Sequence, residues 1–190
     1  EFSWVRGPNS FLPRDIAVQW ARGVPDTFHA RASAVARRYA YVLLESPVRP
    51  SVDAARVGWV FRPLDLAAMQ RAAAHLLGEH DFSSFRSSQC QANSPIRTLS
   101  EVRVLKNDGL ILVTLRGNAF LHHMVRNIVG ALVYVGSGRM SVAGFAALLA
   151  EKSRLKAPPT FMPDGLYLTG VDYPPEWGVA TPPPPEWLWF

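Results

Sequence analysis

The stretch Phe120–Val135 constrains this chain most, because it is apolar almost all round and yet carries Arg126. Phe120, Leu121, Met124, Val125, Ile128, Val129, Leu132 and Val133 recur at helical spacing, which predicts a helix buried over most of its surface. On such a helix His122 and Arg126, and His123 and Asn127, are i,i+4 pairs. Gly130 continues their narrow line and marks a place where another backbone can come close. A guanidinium in apolar surroundings needs a carboxylate beside it. The sequence therefore predicts an acidic residue held against Arg126, and that partner is the natural candidate for chemistry. A purely structural ion pair, or an arginine snorkelling to solvent, is the competing explanation.

The rest of the chain reads as strands in hairpins with helices between them. Asp15–Trp20 alternates and predicts a strand, and Val35–Leu44 predicts a longer one. On the second, Val35, Arg37, Tyr39, Tyr41 and Leu43 share a basic and aromatic face suited to nucleic acid. The opposite face, Ala36 to Leu44 by even numbers, is small and apolar apart from Arg38, and so is the expected core side. Asp65 is placed to cap a helix running through Met69, Ala72, Ala73, Leu76 and Leu77, with Gly78 ending it. Asp81 is placed to cap a turn bearing Phe82 and Phe85, followed at once by Arg86. Ser100–Lys106 and Leu110–Arg116 flank Asn107-Asp108-Gly109, a hairpin signal. Ser141 opens a further helix with Phe145, Leu148 and Leu149. A Pro-rich loop then leads to a last strand at Leu166–Val171. The class is α+β, with a largely antiparallel sheet and helices packed on one face.

Composition narrows the functional classes. The chain has 190 residues, enough for a sizeable core, and its one Cys90 forms no internal disulfide. No signal-like N-terminus or apolar run of spanning length occurs, so a soluble cytoplasmic protein without a membrane role is expected. Of 20 basic residues three are lysine (Lys106, Lys152, Lys156) and 17 arginine, with net charge +5. Arginine suits phosphate contact and base stacking, which makes RNA the leading partner class, although a GC-rich genome would favour Arg and Ala codons equally. His122-His123 is a poor metal pair, since adjacent helical positions point about 100° apart. Around Cys90 nothing recognisable lowers a thiol pKa. No phosphate-cradling Gly-rich loop or dinucleotide fingerprint is present, so neither a metal nor a nucleotide cofactor is expected.

Five blocks, in order, carry a family resemblance: Phe28-His29-Ala30-Arg31, Arg37-Arg38-Tyr39-Ala40-Tyr41, Asp81-Phe82-Ser83-Ser84-Phe85-Arg86, Asn118 to Asn127, and Gly165-Leu166-Tyr167-Leu168. From about Asn9 to Pro174 the chain resembles the TruA family of tRNA pseudouridine synthases. The resemblance implies a homodimeric, cofactor-free isomerase that converts uridine to pseudouridine in the anticodon stem-loop of tRNA. In such enzymes an aspartate within a Gly-Arg-Thr-Asp-Ala-Gly motif starts the reaction at the sugar or the base. The glycosidic bond then breaks, the uracil turns, and it rejoins through carbon. By motif position the resemblance implies catalytic roles for Tyr39, which stacks on the extruded base and serves as a general base, and for Arg126, the aspartate's basic partner. It makes Leu166 an apolar wall of the pocket, with Arg31, Arg37, Phe85 and Arg86 as further substrate contacts.

The Gly-Arg-Thr-Asp motif does not occur in this sequence. Its eight aspartates, Asp15, Asp26, Asp53, Asp65, Asp81, Asp108, Asp164 and Asp172, all fall at expected strand ends, caps or turns. The chain therefore reads as the C-terminal part of the enzyme without the half that carries the nucleophile, and is expected to be inactive alone. In that organisation residues 1–27 are a linker and strand belonging to the N-terminal half, 28–173 the synthase C-terminal domain, and 174–190 a Pro- and Trp-rich tail. The alternatives are a non-catalytic α+β RNA-binding module and a dimerisation domain.

Overall fold

The computed structural model describes residues 2–181 and 183. A short helix α1 (Phe2–Asn9) precedes the domain. The elements β1 (Ala36–Glu45), β2 (Gly58–Val60), α2 (Leu66–Ala74), β3 (Gly78–Asp81), β4 (Ile96–Asn107), β5 (Leu110–Gly117), α3 (Met124–Gly136), α4 (Val142–Glu151) and β6 (Leu166–Asp172) follow. The expected hairpin is β4–β5, closed where Asn107 pairs with Leu110. Its two turn residues both have positive φ, 44° at Asp108 and 84° at Gly109. That is the turn whose twist matches paired strands, and glycine adopts it without strain.

The six strands form one sheet in the order β2-β1-β5-β4-β3. Along its other edge β1 is shared, pairing antiparallel with β6 over Ala36–Tyr41 and parallel with β2 over Leu43–Glu45. The remaining pairings are antiparallel, so the α+β class holds. At β4, where the short β3 stops, Gln70 of α2 donates to the Val104 carbonyl at 2.9 Å and so covers part of the open edge.

The main core lies on the odd-numbered face of β1, the reverse of the sequence expectation. Tyr41 and Leu43 join Ile111, Val113 and Leu115 under α2, α3 and α4, whereas Ala40 and Val42 form only a small cluster with Val57 and Leu112. Volume decided the matter: the odd face carries the larger side chains, and burying them removes more apolar area from water. Tyr41 is fully buried because its hydroxyl finds a partner, donating to the Met162 carbonyl at 2.8 Å. The N-terminal caps follow the sequence: Asp65 accepts from the Ala68 N–H, Ser141 from Gly144 and Asp81 from Ser83. The expected stop at Gly78 does not hold, since α2 ends at Ala74 with His75 as its cap, and Gly78 opens β3.

Two further expectations fail. Asp15–Trp20 is not a strand; Ile16 N–H closes a turn onto the Pro13 carbonyl, and the Asn9 side chain clasps both the N–H and the carbonyl of Val18. With no neighbouring strand, Ile16 and Trp20 are each 55% exposed, so alternation there reflects no buried face. The stretch from Phe120 to His123 is not helical either, because His123 adopts a left-handed conformation (φ 60°) and α3 starts only at Met124. Of the tail, Trp177 packs on Phe28 with ring centroids 5.4 Å apart, while Pro182, Pro184, Pro185, Trp187 and Trp189 lie outside the described residues.

Candidate active site

The sheet and the start of α3 enclose a cleft of about 910 Å³, large for a small-molecule site. Its walls come from every block singled out in the sequence except one. Arg31 enters from the loop before β1, Arg37 and Tyr39 from β1, and Leu166 and Leu168 from β6. His122, His123 and Arg126 come from the turn into α3, and Gln89 to Ala92 from the loop after Phe85. Phe85 is absent from this lining. It is fully buried between Phe82 and Phe145, at centroid distances of 6.2 and 5.7 Å, so the expected substrate contact is a core residue. Arg86 does not line the cleft but braces its rim, donating to the Cys90 and Ala92 carbonyls at 2.8 Å each.

Tyr39 stands at the point where the core on β1 opens into the cleft. Its ring meets Phe120 edge-on, with centroids 4.9 Å apart and planes at 73°, a favoured aromatic geometry that fixes the ring plane. Nothing in the sequence separates Phe120, at the head of an apolar run, from the core. Burial holds the Tyr39 hydroxyl above its usual range and the Arg37 charge only partly opposes this. At neutral pH the group is therefore a phenol, able to stack and to donate a hydrogen bond. A general-base role requires prior loss of its own proton.

Arg37 is itself spent largely on the backbone, since its guanidinium bonds the carbonyls of Arg31, Ala34 and Asn118. It thereby pins both approaches to the cleft and leaves its charge unneutralised. Arg126 is half-buried rather than enclosed, because α3 begins later than expected and places it in the first turn at the cleft wall. Its Nε donates to the Phe161 carbonyl at 2.7 Å. Among the described residues no carboxylate pairs with it, and the cleft lining contains neither aspartate nor glutamate. The predicted acidic partner is thus not among the described residues. The close backbone approach predicted at Gly130 is present: a Cβ there would lie 2.8 Å from the Pro159 carbonyl oxygen.

The neighbours of Arg126 are not the polar stripe that helical spacing implied. His122 and His123 stack on each other at 3.8 Å on the cleft side, while Asn127 faces the interior and is 1% exposed. Burial lowers the His123 pKa, and the adjacent His122 and Arg126 charges lower it further, so its imidazole is neutral at pH 7. Cys90 has surroundings that its neighbours in sequence do not show. Burial raises its thiol pKa, but backbone N–H groups of Ala92 and His122 and the charge of Arg86 outweigh this and bring it below the ordinary value.

The chain is similar to known proteins over most of its length. The profile of a family described as tRNA pseudouridine synthase matches residues 72–174. A tRNA pseudouridine synthase A of Neisseria meningitidis serogroup C / serotype 2a is 60% identical over 186 residues, covering 98% of this chain and 70% of that protein. The namesakes from Acidovorax ebreus and Chromobacterium violaceum are 57% and 58% identical, over 95% and 94% of this chain and 71% and 68% of theirs.

Proposed function

Because this chain belongs to the tRNA pseudouridine synthase family, we propose that its cleft receives a uridine extruded from the anticodon stem-loop of tRNA and is the base-binding side of an isomerase active site. Chemistry on a paired base requires extrusion, which costs a few kcal/mol of stacking and pairing. A fixed aromatic face offsets that loss, and Tyr39, held by Phe120, is the ring in position to supply it. Leu166 provides the apolar wall. Arg31 and Arg37 give the mouth the positive charge that phosphates need.

In this reading Arg126 keeps a nucleophilic aspartate ionised by offering it an unneutralised guanidinium across the cleft. That aspartate is the one of the Gly-Arg-Thr-Asp motif and is supplied by sequence other than the residues described. The observation that carries the reading is a cleft lined by arginine, histidine and one available tyrosine ring but by no acid. The C1′–N1 bond breaks, the uracil turns against the Tyr39 face and C1′ bonds to C5; the proton lost from C5 is balanced by one gained at N1, so the product is an isomer and no co-reactant is consumed. The neutral Tyr39 phenol and His123 imidazole are hydrogen-bonding groups for the turning base. We propose that the functional unit is a homodimer.

The test uses unmodified tRNA and a pseudouridine assay. The chain alone is expected to bind tRNA with an affinity that falls steeply as salt rises, and to form no pseudouridine. The intact synthase is expected to turn over, and Arg126→Met to abolish turnover while leaving tRNA affinity within about threefold, since in this reading the main partner of Arg126 is the aspartate. Turnover by this chain alone would refute the external aspartate. An Arg126→Met enzyme with full activity would refute the role of Arg126.

A further inference from the structure

Arg126 cannot aim itself. An arginine side chain has about 2 kcal/mol of rotamer entropy to lose on being fixed, and α3 holds only its backbone. What fixes the guanidinium is the bond from Nε to the Phe161 carbonyl, which turns the two Nη groups away from that contact. Phe161, however, lies in Ala157–Gly165, a segment with no regular secondary structure. A loop of that kind is mobile unless its own polar groups are tied.

Tyr41 holds the Met162 carbonyl at 2.8 Å and the Phe161 N–H donates to the Arg126 carbonyl at 3.4 Å, but the side-chain ties on the stretch before Phe161 converge on the residue next to Arg126. Asn127 donates through Nδ2 to the Phe85 carbonyl at 2.8 Å, and its Oδ1 accepts from Thr160 Oγ1 at 2.7 Å and Arg154 Nη2 at 3.1 Å. Arg154 Nη2 also reaches Thr160 Oγ1 at 3.3 Å, and Nη1 bonds the Pro158 carbonyl at 2.6 Å. Above this knot the Pro159 carbonyl rests on Gly130. Asn127, Thr160 and Arg154 do not line the cleft. Burial disfavours the charged form of Arg154, so holding it here carries a cost that solvent exposure would avoid.

We propose that Asn127, Thr160 and Arg154 are positioning residues for the synthase reaction: they clamp the Pro158–Phe161 backbone so that its Phe161 carbonyl fixes Arg126 in the orientation that meets the catalytic carboxylate. The proposal rests on the function argued above for Arg126. Thr160 is the informative member, because its hydroxyl ties the loop directly to Asn127 at 2.7 Å and valine removes that donor with little change of shape. The chemistry is sensitive to such loosening, since a misplacement of about 1 Å can cost on the order of 100-fold in rate.

Two readouts test it in Thr160→Val and Thr160→Ser. In the chain as described, the Arg126 Nε–H resonance, assigned by its loss in Arg126→Met, is expected to exchange slowly with water in the unsubstituted protein and in Thr160→Ser. It is expected to exchange at least tenfold faster in Thr160→Val. In the intact synthase, Thr160→Val is expected to lower kcat by about 10- to 100-fold with KM for tRNA within about twofold, and Thr160→Ser to restore kcat. A purely structural residue would shift unfolding temperature without that kcat-against-KM split or its rescue. If Thr160→Val fails to fold, Arg154→Lys, which keeps the charge but loses the fork, is put to the same two measurements. Unchanged exchange, or accelerated exchange with unchanged kcat, overturns the proposal. An unsubstituted intact enzyme that makes no pseudouridine overturns the functional reading instead, and leaves the exchange result to judge the clamp.

Discussion

Gly130→Ala sets two effects of opposite sign against each other, and the structure says which wins. Mid-helix, replacing glycine by alanine stabilises by about 1 kcal/mol through backbone entropy. At position 130 the new Cβ would stand 2.8 Å from the Pro159 carbonyl oxygen, with Phe161 N and Cβ both at 3.6 Å. The nearest obstacle is backbone, so no side-chain rotation relieves it, and forcing a methyl into a packed contact costs about 1–3 kcal/mol. Retreat of the loop also weakens the Arg126 Nε to Phe161 bond, a charged hydrogen bond contributing about 1.5–3 kcal/mol before discounting for its partial exposure. The expected net is a loss of about 1–3 kcal/mol, or a fall in Tm of about 3–10 °C for a chain of this size. Thermal unfolding by circular dichroism, with denaturant titration as a second measure, reads this directly. A Gly130→Ala protein with raised Tm would show that helix propensity dominates and that the loop is not seated on α3 as described.

Asp65→Ala removes the side-chain acceptor for the Ala68 N–H, and denaturant unfolding is expected to show a loss of about 0.5–2 kcal/mol with tRNA affinity unchanged. Tyr41 has its pKa pushed up by burial and by the Asp164 carboxylate, with Arg126 opposing. The folded state therefore holds that proton more tightly than the unfolded state does: the resulting stability is complete below the unfolded value of about 10 and is lost as pH rises toward the folded value. Tyr41→Phe is expected to flatten the decline in stability above about pH 10 while lowering stability at pH 7 by about 1–3 kcal/mol, because the Met162 carbonyl loses its donor. An equally steep alkaline decline in Tyr41→Phe would assign it to other groups.

What the sequence made legible is what short-range chemistry encodes. Asp108-Gly109 dictated its turn, Asp65 and Ser141 their caps, and Gly130 a close approach whose partner could not be named in advance. The site residues Tyr39, Arg126, Leu166, Arg31 and Arg37 do share one cleft. What failed depended on distant neighbours. Asp15–Trp20 alternates as well as a strand does, but only pairing could make it one. Tyr41 read as a platform residue because its buried acceptor, the Met162 carbonyl, is 121 positions away. Phe85 sits between Arg86 and the aromatic core, and only packing shows which it serves. The left-handed turn at His123 was hidden by its apolar flanks, and it is what brings Arg126 to the wall of the cleft rather than into the core.

The arginine excess admits an argument that composition alone did not. A genomic bias toward arginine codons would scatter the residues without regard to what neutralises them. Eight of the 17 are instead sorted by the two faces of the sheet. On the face away from the cleft, Arg38 and Arg116 share Asp172, and Arg103 pairs with Glu101, all five lining one shallow groove. Around the cleft Arg37, Arg86, Arg97 and Arg126 donate to backbone carbonyls, as does Arg154 behind it. A carbonyl satisfies an N–H without cancelling the charge, so these guanidiniums hold loops in place and stay cationic. Lysine, with a single ammonium on a flexible stem, could not bridge two or three carbonyls and still face outward in a fixed plane. Partner choice therefore explains the arginines near the cleft better than codon usage does: on one face each guanidinium has a carboxylate beside it, and the other face is kept open to an anion.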